Sequence, residues 1–182
     1  MATENLAISV EVPFGGINPD EGSSEIGFGD IHVDFELLAY EYQFRFPYVI
    51  PHMSIGLDTA DDDVGIGAGD NSLLLGVTVG STMYDNTWDF NLDLSYEVFG
   101  DIENVFAIGG STLWEINELF AVLAEVQLTD EEPPELAEEH PIRFGGGMVY
   151  APSERLTWSL IGAGAKNARE DVIVTLRISY DL

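Results

Sequence analysis

Acidic side chains recur at every second or fourth position in several stretches, and that spacing is the first chemistry the chain offers. In residues 87–99, TWDFNLDLSYEVF, the acids Asp89, Asp93 and Glu97 share one face with Asn91 and Ser95. Trp88, Phe90, Leu92, Leu94, Tyr96 and Val98 share the other. Asp30, His32, Asp34 and Glu36 alternate in the same way with Ile31, Val33, Phe35 and Leu37, and Glu11 and Glu125 sit in similar patterns. Rows of carboxylates facing a common space attract cations. The competing reading is a filled polar core in which Arg143 and Arg177 neutralise part of the acid.

Other candidate chemistry is weaker. His32 lies among acids, but nucleophilic catalysis needs a serine, histidine and acid in a geometry that spacing does not supply, so a structural histidine is the stronger reading. His52 and His140 stand near strand ends without ligand-like spacing. The loop DTADDDVGIGAGD gathers Asp58, Asp61, Asp62, Asp63 and Asp70, oxygen donors of the kind a hard divalent cation takes. Its spacing departs from that of helix-loop-helix calcium loops, and a solvated acidic loop is favoured. The same holds for Glu131, Glu132, Glu135, Glu138 and Glu139, where a helical turn over residues 134–139 is an option. No cofactor is expected beyond such a cation.

The balance of 33 acids against 6 basic residues, a formal charge of −27, argues against nucleic acid, whose phosphates this surface would repel. With 46% hydrophobic residues the chain is not of disordered composition, and its 182 residues suit one domain spanning residues 1–182. It contains no cysteine, which excludes disulfides and thiolate chemistry. No apolar run reaches the ~18–20 residues of a membrane helix, and the start, MATENLAISV, has no secretory signal pattern.

A strict period of two, in which apolar and polar side chains part to opposite faces, is the mark of a β-strand. The alternation predicts ten strands: residues 6–13, 29–40, 42–57, 72–83, 87–99, 104–114, 119–128, 142–150, 156–165 and 172–182. Pro47 and Pro51 predict a bend or partial pairing in the third. The fold class is therefore all-β, an up-and-down antiparallel barrel of about ten strands.

Which face looks outward decides the function class. The connections after the first, third and seventh strands are long, and those after the second, fourth, sixth and eighth are short. Sorting of loop length by side is the habit of transmembrane barrels of the bacterial outer membrane. Gly76, Gly80, Gly145 and Gly147 lie on the polar face, as a crowded interior requires. Trp88, Tyr150, Trp158 and Tyr180 lie near the ends of apolar faces, where membrane-interface aromatics belong. Residues 88–98, tilted by ~45°, cover about 23 Å, close to the ~25 Å apolar band of such barrels. On this reading the partners are a lipid bilayer or detergent and small-molecule solutes. Asp30, Asp34, Glu36, Asp89, Asp93, Glu97, Glu125, Arg143 and Arg177 then line the lumen, and the protein is a channel, not an enzyme. The alternative is a soluble acidic barrel with its aliphatic face inward around an apolar ligand.

The closing strand, VIVTLRISYDL, resembles the terminal assembly signal of outer-membrane barrels, with an aromatic third from the end, which implies the barrel-assembly machinery as a partner. Leu182 stands where that signal usually has Phe. The segments ENLAISVEVPF, IGFGDIHVDFEL, PHMSIGLDTADDDVGIGAGDNSLLLGV, ELFAVLAEVQ and IRFGGGMVYAPSERLTWSLIGAGA follow an order that resembles the bacterial outer-membrane family of phenol-degradation-pathway transporters. The resemblance covers nearly the whole chain. It implies an outer-membrane β-barrel that binds or passes small, hydrophobic molecules. Members begin with a further hairpin before the ENLAISV-like strand, and this chain starts at that strand.

Overall fold

The computed structural model describes residues 6–17, 25–37, 48–60, 69–83, 87–100, 104–130, 141–166 and 172–181. Eleven strand segments follow in order: β1 (Leu6–Ile17), β2 (Glu25–Phe28), β3 (Ile31–Leu37), β4 (Tyr48–Leu57), β5 (Ser72–Met83), β6 (Trp88–Phe99), β7 (Val105–Asn117), β8 (Phe120–Thr129), β9 (Ile142–Ser153), β10 (Leu156–Lys166) and β11 (Val172–Asp181). Each pairs antiparallel with its neighbour in sequence, except that β2 and β3 both pair with β1. Pairing of β1 with β11, from Ala7↔Asp181 to Gly16↔Val172, closes the sheet on itself. The eleven segments thus form a closed barrel of ten staves, with β2 and β3 as two lengths of one stave. Closure matters physically, because a spanning sheet with a free edge would leave backbone N–H and C=O groups unpaired in hydrocarbon.

The break between β2 and β3 explains one departure from expectation. The first strand was expected to end at Pro13, yet β1 continues to Ile17. Proline cannot donate to a ladder, and here the ladder on one side is interrupted: the register slips by one residue between Glu11↔His32 and Phe14↔Phe28. Pro13 still accepts a 3.0 Å hydrogen bond from Gly29 N across that bulge. The second strand accordingly begins at Glu25, earlier than the alternation suggested. Pro51 is accommodated in a similar way, since β3–β4 pairing ends at Glu36↔His52, one residue short of it. Residues 38–47, which include Pro47, lie outside the described residues.

Hairpin ends account for the other departures. β7 runs past Trp114 to Asn117, with a register shift between Glu115 and Asn117. Asn117 Oδ1 then accepts from Leu119 N at 2.9 Å and Phe120 N at 3.1 Å, closing the turn with a side chain. β9 likewise runs to Ser153, whose Oγ accepts from Leu156 N at 3.2 Å. The bounds of β5, β6, β8, β10 and β11, and the starts of β7 and β9, lie within a residue or two of the sequence reading, whereas the expected end of the second strand at residue 40 and start of the third at residue 42 lie outside the described residues.

Leu92 is 52% and Leu94 40% exposed, and the same outward face carries Leu73, Leu75, Val79, Val126, Phe144, Met148 and Leu160. Among the described residues the buried hydrophobic set is only Ala107, Ala121 and Ile161, alongside buried Ser9, Asp30, Ser54, Ser72, Ser95, Thr129 and Ser159. A barrel with its aliphatics inward around an apolar ligand is therefore not what this chain forms. The apolar face is continuous on the outside, far larger than the patch a water-soluble monomer exposes.

Candidate channel lumen

The inner faces of the staves surround a cavity of about 910 Å³. Eight carboxylates line it: Glu11, Asp30, Asp34, Glu36, Asp70, Asp93, Glu97 and Glu125. Two guanidinium groups face them, Arg143 and Arg177, with His32 and His52. The acids are unevenly spread. Seven of them come from the arc between β1 and β6, whereas β7 and β10 contribute small residues such as Ala107, Gly109, Ser111 and Ala163.

Asp89 belongs to the inner face by alternation but is not part of this lining, and its Oδ1 is buried without a hydrogen-bond partner among the described residues. Nearer the short turns the inner face changes character. Leu113 pairs with Leu123, Ala121 with Val149 and Gly147 with Ile161, which makes an apolar row across β7 to β10.

A repeated arrangement orders the acidic arc. Tyr48 on β4 lies over Gly80 on β5 and donates a 2.6 Å hydrogen bond to Asn91 Oδ1 on β6. One turn of the pattern further along, His52 lies over Gly76 and shares a 2.7 Å hydrogen bond with Asp93 Oδ2, which also accepts from Thr78 Oγ1 at 2.7 Å. A Cβ on either glycine would run into the ring above it. Glycine is thus required there by close approach, so that a ring can cross one strand and reach the next. Nearer the long loops His32 lies beside Gly56, and Ser72 Oγ donates to Glu97 Oε1 at 2.5 Å.

On the far side of the arc Ser9 Oγ donates to Asp34 at 3.0 Å. Arg177 donates to one oxygen of Glu11 through both Nε (3.1 Å) and Nη2 (2.5 Å). Its side chain remains 37% exposed to the lumen. Arg143 Nη1 reaches Thr129 Oγ1 at 3.4 Å.

Part of the acidic loop falls among the described residues. Asp61, Asp62 and Asp63 lie outside the described residues, as do the glutamates of residues 131–140 and the turn considered there. Asp70 lines the cavity mouth, and the Asp58 backbone N–H donates to Asn71 Oδ1 at 3.2 Å. Asp30, expected only as a lumen acid, accepts from the Thr59 and Ala60 N–H groups at 2.9 and 3.0 Å and so anchors the start of that loop. Among the described residues no three histidine, aspartate or glutamate side chains converge as a metal site.

Aromatic side chains form two outer rims. At the short-turn end Trp88 stacks on Trp114 (5.5 Å) and Phe90 (6.0 Å), and Phe120 stacks on Tyr150 (5.0 Å). Trp158 and Tyr180 continue that rim at 43% and 46% exposure. At the long-loop end Phe14 meets Phe28 edge-on at 5.1 Å, with Phe106 and Phe144 on the same outer face. Sequence reasoning found Trp88, Tyr150, Trp158 and Tyr180 but missed Trp114, Phe120 and the second rim. It placed Asn91 on the acidic face but missed Tyr48 and His52 in the lumen. The signal for these was the alternation of Tyr48, Ile50, His52 and Ser54, which the prolines at 47 and 51 obscured.

Closed antiparallel topology, an apolar exterior between aromatic rims and a polar interior together define an outer-membrane β-barrel. The channel of the COG4313 type from Pseudomonas putida F1 has this fold, with a TM-score of 0.63 and 8% identity over 99% of this chain and 96% of that one. The KdgM porin, solved in complex with disordered oligogalacturonate, matches with a TM-score of 0.59 and 8% identity over 97% of this chain and 99% of its own. The NanC porin matches with a TM-score of 0.56 and 12% identity over 97% and 100% of the two chains. No protein-family model matches the chain. No curated sequence matches it.

Proposed function

We propose that this protein is a non-enzymatic channel of the bacterial outer membrane, comprising residues 1–182 as one barrel, that passes small solutes and prefers cations. The observation that carries the reading is the excess of eight carboxylates over two guanidinium groups around the cavity, inside a barrel whose outer face is apolar. A confined space lined by one sign of charge concentrates the opposite ion. The expected lumen acids Asp30, Asp34, Glu36, Asp93, Glu97 and Glu125, with Arg143 and Arg177, form this surface. The outer aromatics Trp88, Trp114, Tyr150, Trp158 and Tyr180 sit where a bilayer's polar boundary would lie. Insertion by the barrel-assembly machinery, read through the last strand, fits this placement.

The fold shared with KdgM does not bring its ligand with it. Oligogalacturonate is a polyanion, which this lumen would repel.

An uncharged aromatic solute, as the resemblance to phenol-degradation-pathway transporters implies, is the second reading. Tyr48, Ile50, Leu74, Phe99 and Ile173 along the cavity favour it.

Purified protein in a planar bilayer under a potassium chloride gradient tests the first. The expected result is discrete conductance with a reversal potential on the cation side, and an anion-selective current would overturn it. Liposome swelling with uncharged phenolic solutes, faster than with sugars of equal size, would favour the second reading.

A further inference from the structure

Arg177 lines the lumen among its acids. It rises from the middle of β11 and grips Glu11 on the neighbouring β1 with two N–H groups. Asp34 and Glu36, one stave beyond on β3, line the same cavity. So does Glu125 on β8, three staves away in the other direction. One guanidinium therefore shares its cavity with carboxylates spread over half the circumference, from β8 round to β3. Its side chain is 37% exposed inside a closed barrel, so part of it faces the lumen rather than the wall. At ten tilted strands the backbone cylinder is only about 20 Å across, so a long side chain reaches most of the way to the centre.

Without this cation, Glu11, Asp34, Glu36 and Glu125 would line a narrow ring whose remaining guanidinium among the described lining residues is Arg143. Such a ring holds a passing cation too firmly, and conduction requires a site that ions can leave.

We propose that Arg177 is a tethered counter-ion of the lumen: it occupies the place a permeating cation would otherwise hold, and so sets both the degree of cation preference and the ease of passage. Glu11 is its tether. The proposal rests on the channel reading above and adds to it the residue that determines specificity.

Bilayer recordings at low salt on the full chain test it, with Arg177→Gln and Glu11→Gln each first checked for heat-modifiable migration in detergent. In Arg177→Gln the cation-to-anion permeability ratio should rise about fourfold. A unit charge ~10 Å away in water changes the occupancy of each ion about twofold, in opposite directions. Free guanidinium added to Arg177→Gln should bring the ratio back toward the wild-type value, and the same addition should leave wild type unchanged. Glu11→Gln should shift the ratio the opposite way, because it removes an acid and releases the arginine into the lumen.

A folded Arg177→Gln barrel with the wild-type ratio overturns the role of Arg177 while leaving the channel reading intact. If Arg177→Gln does not fold, Glu11→Gln decides: a ratio lowered further than in Glu36→Gln, which removes an acid but no tether, supports the proposal, and a ratio equal to that of Glu36→Gln or unchanged overturns it. A silent or anion-selective wild type overturns both readings together.

Discussion

Gly76 and Gly80 set the width of the lumen on its acidic side. Each leaves the space into which a ring from β4 lies flat against the wall, His52 over the first and Tyr48 over the second. Replacing Gly76 by Val would fill that space and swing His52 off Asp93 into the lumen. The expected outcome is a folded barrel destabilised by about 1–3 kcal/mol, the usual cost of overpacking, and a reduced unit conductance. Urea titration of the refolded protein in lipid vesicles and single-channel recording check the two parts. Tyr48→Phe is a gentler probe, since it removes only the 2.6 Å hydrogen bond to Asn91 and leaves the ring in place. It should cost about 0.5–1.5 kcal/mol, with conductance close to wild type. A large fall in conductance in Tyr48→Phe would show that the hydroxyl itself, not the ring, faces the permeating solute.

At the scale of the strand, β6 shows how one element serves two solvents. Phe90, Leu92, Leu94, Tyr96 and Val98 are all exposed on the outer face, while Asp93 and Glu97 line the cavity and Ser95 is buried between neighbours. A charge placed on the outer face at mid-depth meets hydrocarbon and pays for it. Leu94→Arg should destabilise the barrel by about 2–4 kcal/mol in vesicles, whereas the same charge placed on Tyr96 or nearer the rim should cost less. A Leu94→Arg variant as stable as wild type would mean that this face does not meet lipid.

Strand ends are the part of the element that alternation reads poorly. Glu115, Asn117 and Ser153 are polar and near a turn, so they extend no hydrophobic pattern. Yet each falls within a strand, held by ladder pairing and by side-chain caps on the turn.

At the scale of the molecule, closure through β1 and β11 makes all ten staves depend on one another. Such a barrel should resist detergent at room temperature and unfold only on boiling, so that the unheated and heated protein migrate differently in electrophoresis. The chain has three tryptophans, and Trp88, Trp114 and Trp158 all lie near the short-turn rim. Quenching by lipids brominated at successive depths should therefore be strongest near the polar boundary and weak at the bilayer centre. Quenching strongest at the centre would contradict the placement of the rim.

Sequence by itself determined the period of two, and with it the strands, their number and the sorting of side chains into an apolar and an acidic set. Those are local consequences of a backbone whose successive side chains point in opposite directions. It did not determine which set faces outward, because alternation is symmetric between the two faces. Loop lengths argued for the outward aliphatic face, and the closed sheet decided it, since the eight cavity carboxylates and the exposed aliphatic belt lie on opposite sides of one wall. Nor could spacing show that Tyr48 and His52 reach across a glycine to β6, or that Arg177 grips Glu11 across the closing seam. Those contacts depend on register, bulges and strand tilt, which arise only when all ten staves close around a common axis.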